Sequence, residues 1–249
     1  MTDFATLRIT GSLARLSLNR PDARNALSID LLDALHGRID ELTARKDVTA
    51  MILSGEGKSF CAGMDLKQVI NEPGAPHRLL SSLAEFTLKL RAAPMMTIAS
   101  VNGAAIGGGC GLACVCDFAV THADSRMGFP EVDLGVCPAV VAPWLIRRIG
   151  AGRARRVLLA GGTMSGREAH AIGIATHLVE SRDELDAGVE DLAGRLSQGG
   201  PEALRATKAL LNELDGSSDP SAVRSGAALS ASVLEHEETR ATLRAKLGL

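Results

Sequence analysis

The sequence is poor in aromatic residues, which make up only 2% of its 249 residues and include no tyrosine. With so few rings, a platform on which nucleic-acid bases stack is not expected. An excess of one charge is also missing, because 27 basic and 29 acidic residues leave a formal net charge of −2. So balanced a chain has no field that would attract a nucleic acid or an anionic membrane surface. We therefore expect no nucleic-acid partner and no membrane partner.

Long uninterrupted hydrophobic runs are missing as well. The longest weakly polar stretch, Ala92 to Val120, contains Pro94, Asn102 and a cluster of glycines. This pattern indicates buried strand, loop and helix rather than a membrane span. The first residues, Met1 to Phe4, show no basic segment followed by an apolar core, so no secretory signal is expected.

The five cysteines are scattered through apolar or glycine-rich segments: Cys61, Cys110, Cys114, Cys116 and Cys137. Their odd number, together with the missing secretory signal, indicates reduced thiols in a cytoplasmic protein. The chain contains no Cys-x-x-Cys pair. We therefore interpret Cys110, Cys114 and Cys116 as small buried apolar residues and predict no metal ion.

The hydrophobic pattern alternates between strands and helices. Polar and apolar residues alternate from Leu7 to Leu18, which predicts an opening hairpin. Ser28 is an expected N-cap, followed by helical spacing as far as Arg45. The repeated order of strand, loop and helix predicts an α/β sheet whose strand-to-helix loops carry the ligand chemistry. The other predicted strands are Ala50–Leu53, Met96–Val101, about Asp117–Val120 and Ala175–Val179, with loops at Ser54–Ser59 and Asn71–Pro76. The other predicted helices are His77–Arg91, one near Gly108, a short one capped by Ser165 and one that starts at Pro201.

The pattern after about Gly150 is mostly helical. We predict a core over residues 1–195 and a helical region over 196–249 that serves packing or assembly rather than forming a second catalytic domain.

Several familiar motifs are incomplete. Gly57-Lys58-Ser59 follows a predicted strand, but a P-loop needs a glycine five residues before Gly57, where Ile52 stands. The run Gly107 to Gly111 lacks the spaced third glycine of a dinucleotide fingerprint, and no Gly-x-Ser-x-Gly nucleophile elbow occurs. The six histidines form no constellation of a base and its orienting partner.

Two glycine-rich turns remain, Phe60 to Leu66 and Asn102 to Gly111. Each leads from a buried strand into a helical start, where the first N–H groups have no intrahelical partner and the helix dipole favours negative charge. Glycine also lets a ligand approach the backbone closely. Two such turns facing each other would supply two donors to one developing oxyanion.

These two turns are part of a wider set of motifs: Leu18-Asn19-Arg20-Pro21-Asp22-Ala23-Arg24-Asn25-Ala26-Leu27, Phe60 to Leu66, Asn102 to Cys110, Phe129-Pro130-Glu131 and Leu134-Gly135. Together, over nearly the whole chain, they resemble the enoyl-CoA hydratase/isomerase (crotonase) family. The resemblance implies a ClpP/crotonase core of repeated strand–strand–helix (ββα) units with a helical C-terminal region. It also implies a homotrimer, commonly paired into a hexamer.

The resemblance further implies an acyl-CoA thioester as substrate, with coenzyme A carried by the substrate and no separate cofactor. The backbone N–H groups of Met64 and Gly108 match the family's oxyanion hole. Lys67 matches a position that meets the phosphates, whereas Asp22 stands where relatives often have lysine. The implied acyl-CoA-binding positions are Ala23, Arg24, Ala26, Ala62, Gly63, Met64, Asp65, Leu66, Lys67, Gly107, Gly108, Gly111, Pro130 and Glu131. The pocket walls are expected within Asn71–Leu90 and Val136–Trp144.

The carboxylates determine the reaction that the resemblance implies. Family hydratases commonly carry two glutamates, one after the Gly-Gly-Gly-Cys run and one in a Pro-Glu pair. Here Glu131 stands at the second position and Gly111 at the first. The neighbours of Glu131 are apolar, so we expect partial burial and a raised pKa.

The first hypothesis is an enoyl-CoA hydratase. Gly-Gly-Gly-x-Gly with a downstream glutamate also resembles a branch that includes bacterial methylglutaconyl-CoA hydratase-like proteins. One alternative is a Δ3,Δ2-enoyl-CoA isomerase, which needs only the single carboxylate. A catalytically weakened acyl-CoA-binding homologue is another.

Overall fold

A computed structural model describes residues 3–72 and 74–248. Its strands are β1 (Ala5–Thr10), β2 (Leu13–Leu18), β3 (Ala50–Gly55), β4 (Ser59–Cys61), β5 (Met96–Val101), β6 (Ala104–Ile106), β7 (Phe118–His122), β8 (Arg126–Gly128), β9 (Thr163–Ser165) and β10 (His177–Val179). Its α-helices are α1 (Ile29–Thr43), α2 (Leu66–Asn71), α3 (Ala75–Ala92), α4 (Gly108–Val115), α5 (Ala142–Ile149), α6 (Ala151–Ala160), α7 (Gly166–Ala171), α8 (Leu185–Ser197), α9 (Pro201–Leu214), α10 (Ser221–Glu235) and α11 (Glu237–Leu247).

The strands of the described residues form two sheets. The larger has the order β1-β2-β3-β5-β7-β10, and the smaller has the order β4-β6-β8-β9. Because β3 pairs parallel with β5, and β4 parallel with β6, the turns that follow them meet at one edge. The chain thus repeats strand, strand and helix: β3-β4-α2 and then β5-β6-α4. The predicted α/β fold of strand–strand–helix units with a helical C-terminal region is confirmed.

Local signals predicted several elements well. The Ser28 hydroxyl accepts from the Leu31 N–H at 3.2 Å, and Ser165 forms a complete capping box with Glu168. Strand β5 has the predicted bounds, since all six of its residues are buried.

Other predicted bounds were wrong. The strand predicted at Asp117–Val120 is β7, and it begins at Phe118. Asp117 stays outside it because its carboxylate accepts hydrogen bonds from the Thr97 N–H and the Lys208 ammonium group. The loop predicted at Ser54–Ser59 is short, since β3 continues to Gly55 and β4 starts at Ser59. The loop predicted at Asn71–Pro76 is also shorter, because α2 ends at Asn71 and α3 begins at Ala75; Pro73 lies outside the described residues.

The C-terminal helices share the main core. Val223, Ala227 and Leu234 of α10 belong to the same buried cluster as the residues of α3 and α4. Helix α8 covers the other face of the large sheet, against Ile52 and Ile98. The boundary predicted at 195/196 falls inside α8, and the assembly role of residues 196–249 stays a prediction. No helix within residues 3–72 and 74–248 has both the length and the apolar character that crossing a membrane requires.

Asn25 ties the early loop to the sheet. Its side chain is fully buried, and its amide donates to the carbonyls of Glu56 (2.9 Å) and Ser59 (2.8 Å). Its Oδ1 accepts from the Arg20 N–H at 2.9 Å, and its φ of 56° lies in the left-handed region that asparagine tolerates. Asn25 therefore satisfies three backbone groups that water cannot reach easily.

We expect Asn25→Ala to lower the free energy of unfolding by about 2–4 kcal/mol, because buried carbonyls lose their donors and alanine is strained at this φ. Urea unfolding followed by circular dichroism measures this loss. Asn19→Ala is the control, since the Asn19 side chain donates an exposed hydrogen bond, to the Asp3 carbonyl. Equal losses for the two variants would contradict the role given to Asn25.

Candidate active site

The first glycine-rich turn is held from one side by Leu27. The Leu27 N–H donates to the Gly63 carbonyl (2.7 Å), and the Asp65 N–H donates to the Leu27 carbonyl (2.9 Å). These two hydrogen bonds form a parallel bridge between Leu27 and Met64, in which the bonded groups belong to the residues before and after Met64. The N–H of Met64 therefore points away from Leu27.

The second turn leads into α4. Gly107 has φ 54° and ψ −120°, a conformation open only to glycine, and its N–H donates to the Gly128 carbonyl at 2.8 Å. Gly108 is the first residue of α4, so its N–H has no intrahelical acceptor. The two turns lie against each other: a Cβ on Gly63 would come within 2.8 Å of the Ile106 carbonyl oxygen and 4.0 Å of the Gly108 nitrogen.

Glu131 follows β8 and the Phe129-Pro130 segment, at the start of a 3₁₀ turn over Val132–Leu134. Its carbonyl accepts from the N–H groups of Leu134 (3.0 Å) and Val136 (2.8 Å), which fixes its backbone. Its Oε2 is buried, and no described residue donates to it. Burial disfavours the ionised carboxylate and raises the pKa of Glu131 to about 7, so the predicted rise is present.

Both turns and Glu131 line one pocket, which is open to solvent on one side. Its walls are Ala62, Gly63, Met64, Leu66, Leu80, Leu83, Ile106, Gly107, Gly108, Pro130, Glu131, Leu134, Val136, Cys137, Pro138, Val140 and Val141. Glu131 is the only carboxylate among them. The residues from α3 and from Val136 to Val141 lie within the ranges predicted for the walls. The pocket is thus apolar apart from one carboxyl group, one thiol and its backbone amides.

Glu131 and the α4 turn are in close contact. A Cβ at Gly107 would lie 2.8 Å from Glu131 Oε1 and 3.3 Å from its carboxyl carbon. The absence of a side chain at Gly107 therefore makes room for the catalytic candidate beside the start of α4.

Gly111 was predicted to contact the acyl-CoA, and this contact stays a prediction. It is buried and is not among the pocket walls, because the Val141 side chain stands over it. Sequence reasoning missed this role of Val141, since no local pattern relates positions 111 and 141.

The other predicted binding residues outside the pocket wall have structural contacts. Asp65 caps α2 by accepting from the Gln68 N–H, and its carboxylate pairs with Arg20 at 3.1 Å. The Arg24 carbonyl accepts from the Ala62 N–H at 3.0 Å, which joins the early loop to the first turn. Ala26 accepts from Arg20 through its carbonyl, Ala23 ends a 3₁₀ turn, and Lys67 is exposed at the start of α2. Their predicted contacts with coenzyme A stay predictions.

Four cysteines are buried in the core: Cys61, Cys110, Cys114 and Cys116. Burial raises the pKa of the Cys61 and Cys116 thiols to about 12, which keeps both protonated and unreactive. Cys137 is half-buried and lines the pocket. None of the histidines lines it.

Comparison with known proteins gives a consistent result. The family model described as enoyl-CoA hydratase/isomerase matches residues 8–246. A putative enoyl-CoA hydratase of Thermus thermophilus is 35% identical over 239 residues, which cover 94% of each chain. A crotonyl-CoA hydratase of Syntrophomonas wolfei is 36% identical over 204 residues, covering 81% of this chain and 78% of its own.

Solved structures agree with the fold. AtuE of Pseudomonas aeruginosa superposes with a TM-score of 0.81 at 33% identity, covering 95% of this chain and 93% of its own. An enoyl-CoA hydratase of Bacillus halodurans superposes with a TM-score of 0.90 at 22% identity, covering 97% and 99% of the two chains.

Proposed function

The chain belongs to the enoyl-CoA hydratase/isomerase family, and we propose that it adds water to a 2-enoyl-CoA with Glu131 as its single acid–base group. The observation that carries this proposal is the buried Glu131 carboxyl group, with a pKa of about 7 and an unpartnered Oε2, in the pocket that also contains the two glycine-rich turns. A group that titrates near neutral pH can both take and return a proton.

The oxyanion hole in this proposal consists of the N–H groups of Met64 and Gly108. The Met64 N–H points away from the bridge to Leu27, and the Gly108 N–H is the first of α4. Both would donate to the thioester oxygen as it becomes negative, assisted by the positive end of the α4 dipole. Loss of one such donor typically costs about 3–4 kcal/mol of transition-state stabilisation.

The reaction then has two proton transfers. Ionised Glu131 takes a proton from water as the water oxygen bonds Cβ, and the electrons of the Cα=Cβ bond move into the enolate, whose oxygen accepts from both N–H groups. Protonated Glu131 next gives its proton to Cα, and the thioester carbonyl re-forms. The product is a 3-hydroxyacyl-CoA, and Glu131 is ionised again.

Coenzyme A in this proposal enters with the substrate. The Ala62–Lys67 segment would run along the thioester and its pantetheine, with Lys67 exposed to meet phosphate. Ala23, Arg24 and Ala26 would lie beside it, since the Arg24 carbonyl bonds the Ala62 N–H. Asp22 would weaken the phosphate contacts on that side by repulsion. A cytoplasmic location is part of the same proposal.

Assembly into a homotrimer, or a hexamer of two trimers, is also proposed. Three leucines of α9 support it, because Leu210, Leu211 and Leu214 are 54%, 53% and 74% exposed. Neighbouring exposed leucines on one helix are typical of a surface that another chain covers.

A second candidate function is Δ3,Δ2-enoyl-CoA isomerisation. The observation that favours it is that Glu131 is the only carboxylate on the pocket wall, which also includes apolar Val140 and Val141. Moving a proton from C2 to C4 through a dienolate needs one carboxylate and no bound water.

Incubation with 2-hexenoyl-CoA and with 3-hexenoyl-CoA in separate reactions tests the proposal. We expect 3-hydroxyhexanoyl-CoA from the 2-enoyl substrate, because Glu131 activates water against a polarised Cβ; liquid chromatography with mass detection measures the gain of one water. Conversion of the 3-enoyl thioester to the 2-enoyl thioester without any hydroxyacyl product would replace hydration with isomerisation. Binding of both thioesters without conversion would identify a weakened acyl-CoA-binding homologue.

A further inference from the structure

Gly107, the N-cap of α4, and Gly111, in its first turn, both lack a side chain where another segment packs closely. The Gly111 N–H donates to the Gly107 carbonyl at 2.8 Å, which is the first hydrogen bond of this helix. A Cβ at Gly107 would touch the Glu131 carboxyl group, whereas a Cβ at Gly111 would overlap the Val141 Cγ1 methyl and lie 3.0 Å from the Val141 Cβ. Glu131 thus lies against the N-cap of α4 and Val141 against its first turn, and both line the pocket described above.

Val141 is held firmly in this place. Its carbonyl accepts from the N–H groups of Trp144 and Leu145 at 3.1 Å each, at the start of α5. The segment before it is tied to α10, because Ser230 Oγ donates to the Cys137 carbonyl (2.8 Å) and accepts from the Ala139 N–H (3.1 Å). Rotation of the Val141 side chain would move its methyl groups but leave its Cβ in the way. A side chain at position 111 would thus clash with Val141, which cannot move without disturbing the packing around it.

We propose that Val141 is a specificity-determining residue, which fills the space that a side chain at position 111 would need and so leaves Glu131 as the one carboxylate on the pocket wall. Gly111 and Val141 form a complementary pair, because the Val141 side chain occupies the space that a side chain at position 111 would fill. The consequence for the reaction rests on the function proposed above, because it assumes that Glu131 transfers protons to and from an acyl thioester.

The test introduces a second carboxylate at position 111, both with the Val141 side chain in place and with that side chain removed. The variants are Gly111→Glu, Val141→Gly, their combination, and a combination of Gly111→Glu with Val140→Gly as the matched control. Val140 is a buried valine on the same pocket wall but does not approach Gly111. Thermal unfolding gives the Tm of each variant, and hydration of 2-hexenoyl-CoA gives kcat/KM.

We expect Gly111→Glu alone to lower the Tm by about 5 °C or more, because the glutamate is forced into Val141. Val141→Gly should restore most of this loss, and Val140→Gly should restore none of it. The Gly111→Glu/Val141→Gly protein should hydrate about 10-fold faster than the Gly111→Glu/Val140→Gly control, since a second acid–base group can then hold the water.

A wild-type Tm in Gly111→Glu, or losses that simply add in the combination with Val141→Gly, would overturn the pairing. Equal hydration by the two double variants would overturn the role of Val141 in the reaction. If the wild-type chain converts no acyl-CoA, the proposed function fails, while the Tm values still decide the pairing because they need no activity.

Discussion

Glu131→Gln lowers kcat/KM for 2-hexenoyl-CoA by about 10³-fold, because the amide can neither take a proton from water nor return one to Cα. The amide keeps the size of the carboxyl group, so the pocket keeps its shape. The wild-type kcat/KM for hydration rises with pH through about 7, since the ionised form is the base and burial places its pKa there. Stopped assays with product quantification between pH 5 and 9 measure both effects.

The matched control is Glu213→Gln, which makes the same chemical change at an exposed position of α9. We expect wild-type kcat/KM for it. An unchanged rate in Glu131→Gln would remove Glu131 from the mechanism, and with it the proposed proton transfers.

The Glu131→Gln substitution should also stabilise the protein at alkaline pH. Burial raises the pKa of Glu131 from 4.5 to about 7, so the folded state keeps a proton that the unfolded chain releases between these values. Stability therefore falls as pH rises through that window, by up to about 3 kcal/mol above pH 7. Glutamine stays neutral and avoids this cost. Urea unfolding should find Glu131→Gln more stable than wild type at pH 8 and equal to it at pH 4.

Gly107→Ala is expected to lower kcat/KM by about 10²-fold, because a small displacement of a catalytic group can cost that much. The new methyl group would lie 2.8 Å from Glu131 Oε1 and would push the carboxyl group out of place. A φ of 54° also strains any residue with a Cβ, so the free energy of unfolding should fall by about 1–3 kcal/mol. Steady-state kinetics and urea unfolding measure the two losses separately.

The control variant Gly11→Ala separates the effect of backbone strain from the effect of displacing the Glu131 carboxyl group. Gly11, in the β1–β2 turn, has nearly the same φ, 58°, but no atom lies within 4 Å of the position that a Cβ would take there. This control should lose stability and keep wild-type kcat/KM. If Gly107→Ala behaves in the same way, the space at Gly107 does not position Glu131.

The sequence alone determined the features that depend on neighbouring residues. Ser28 and Ser165 were predicted as caps because an N-cap bonds an N–H three residues on. The two turns and the partial burial of Glu131 were predicted because glycine runs and an apolar context are local signals.

Only the tertiary structure decided the features that join distant segments. The bridge from Leu27 turns the Met64 N–H to one side, and burial on several sides raises the pKa of Glu131 to about 7. The packing of Val141 over Gly111 joins residues whose relation no periodicity or spacing encodes. A glycine shows in the sequence that a side chain is missing, but the atoms that take up its space come from another part of the chain, and only folding brings them there.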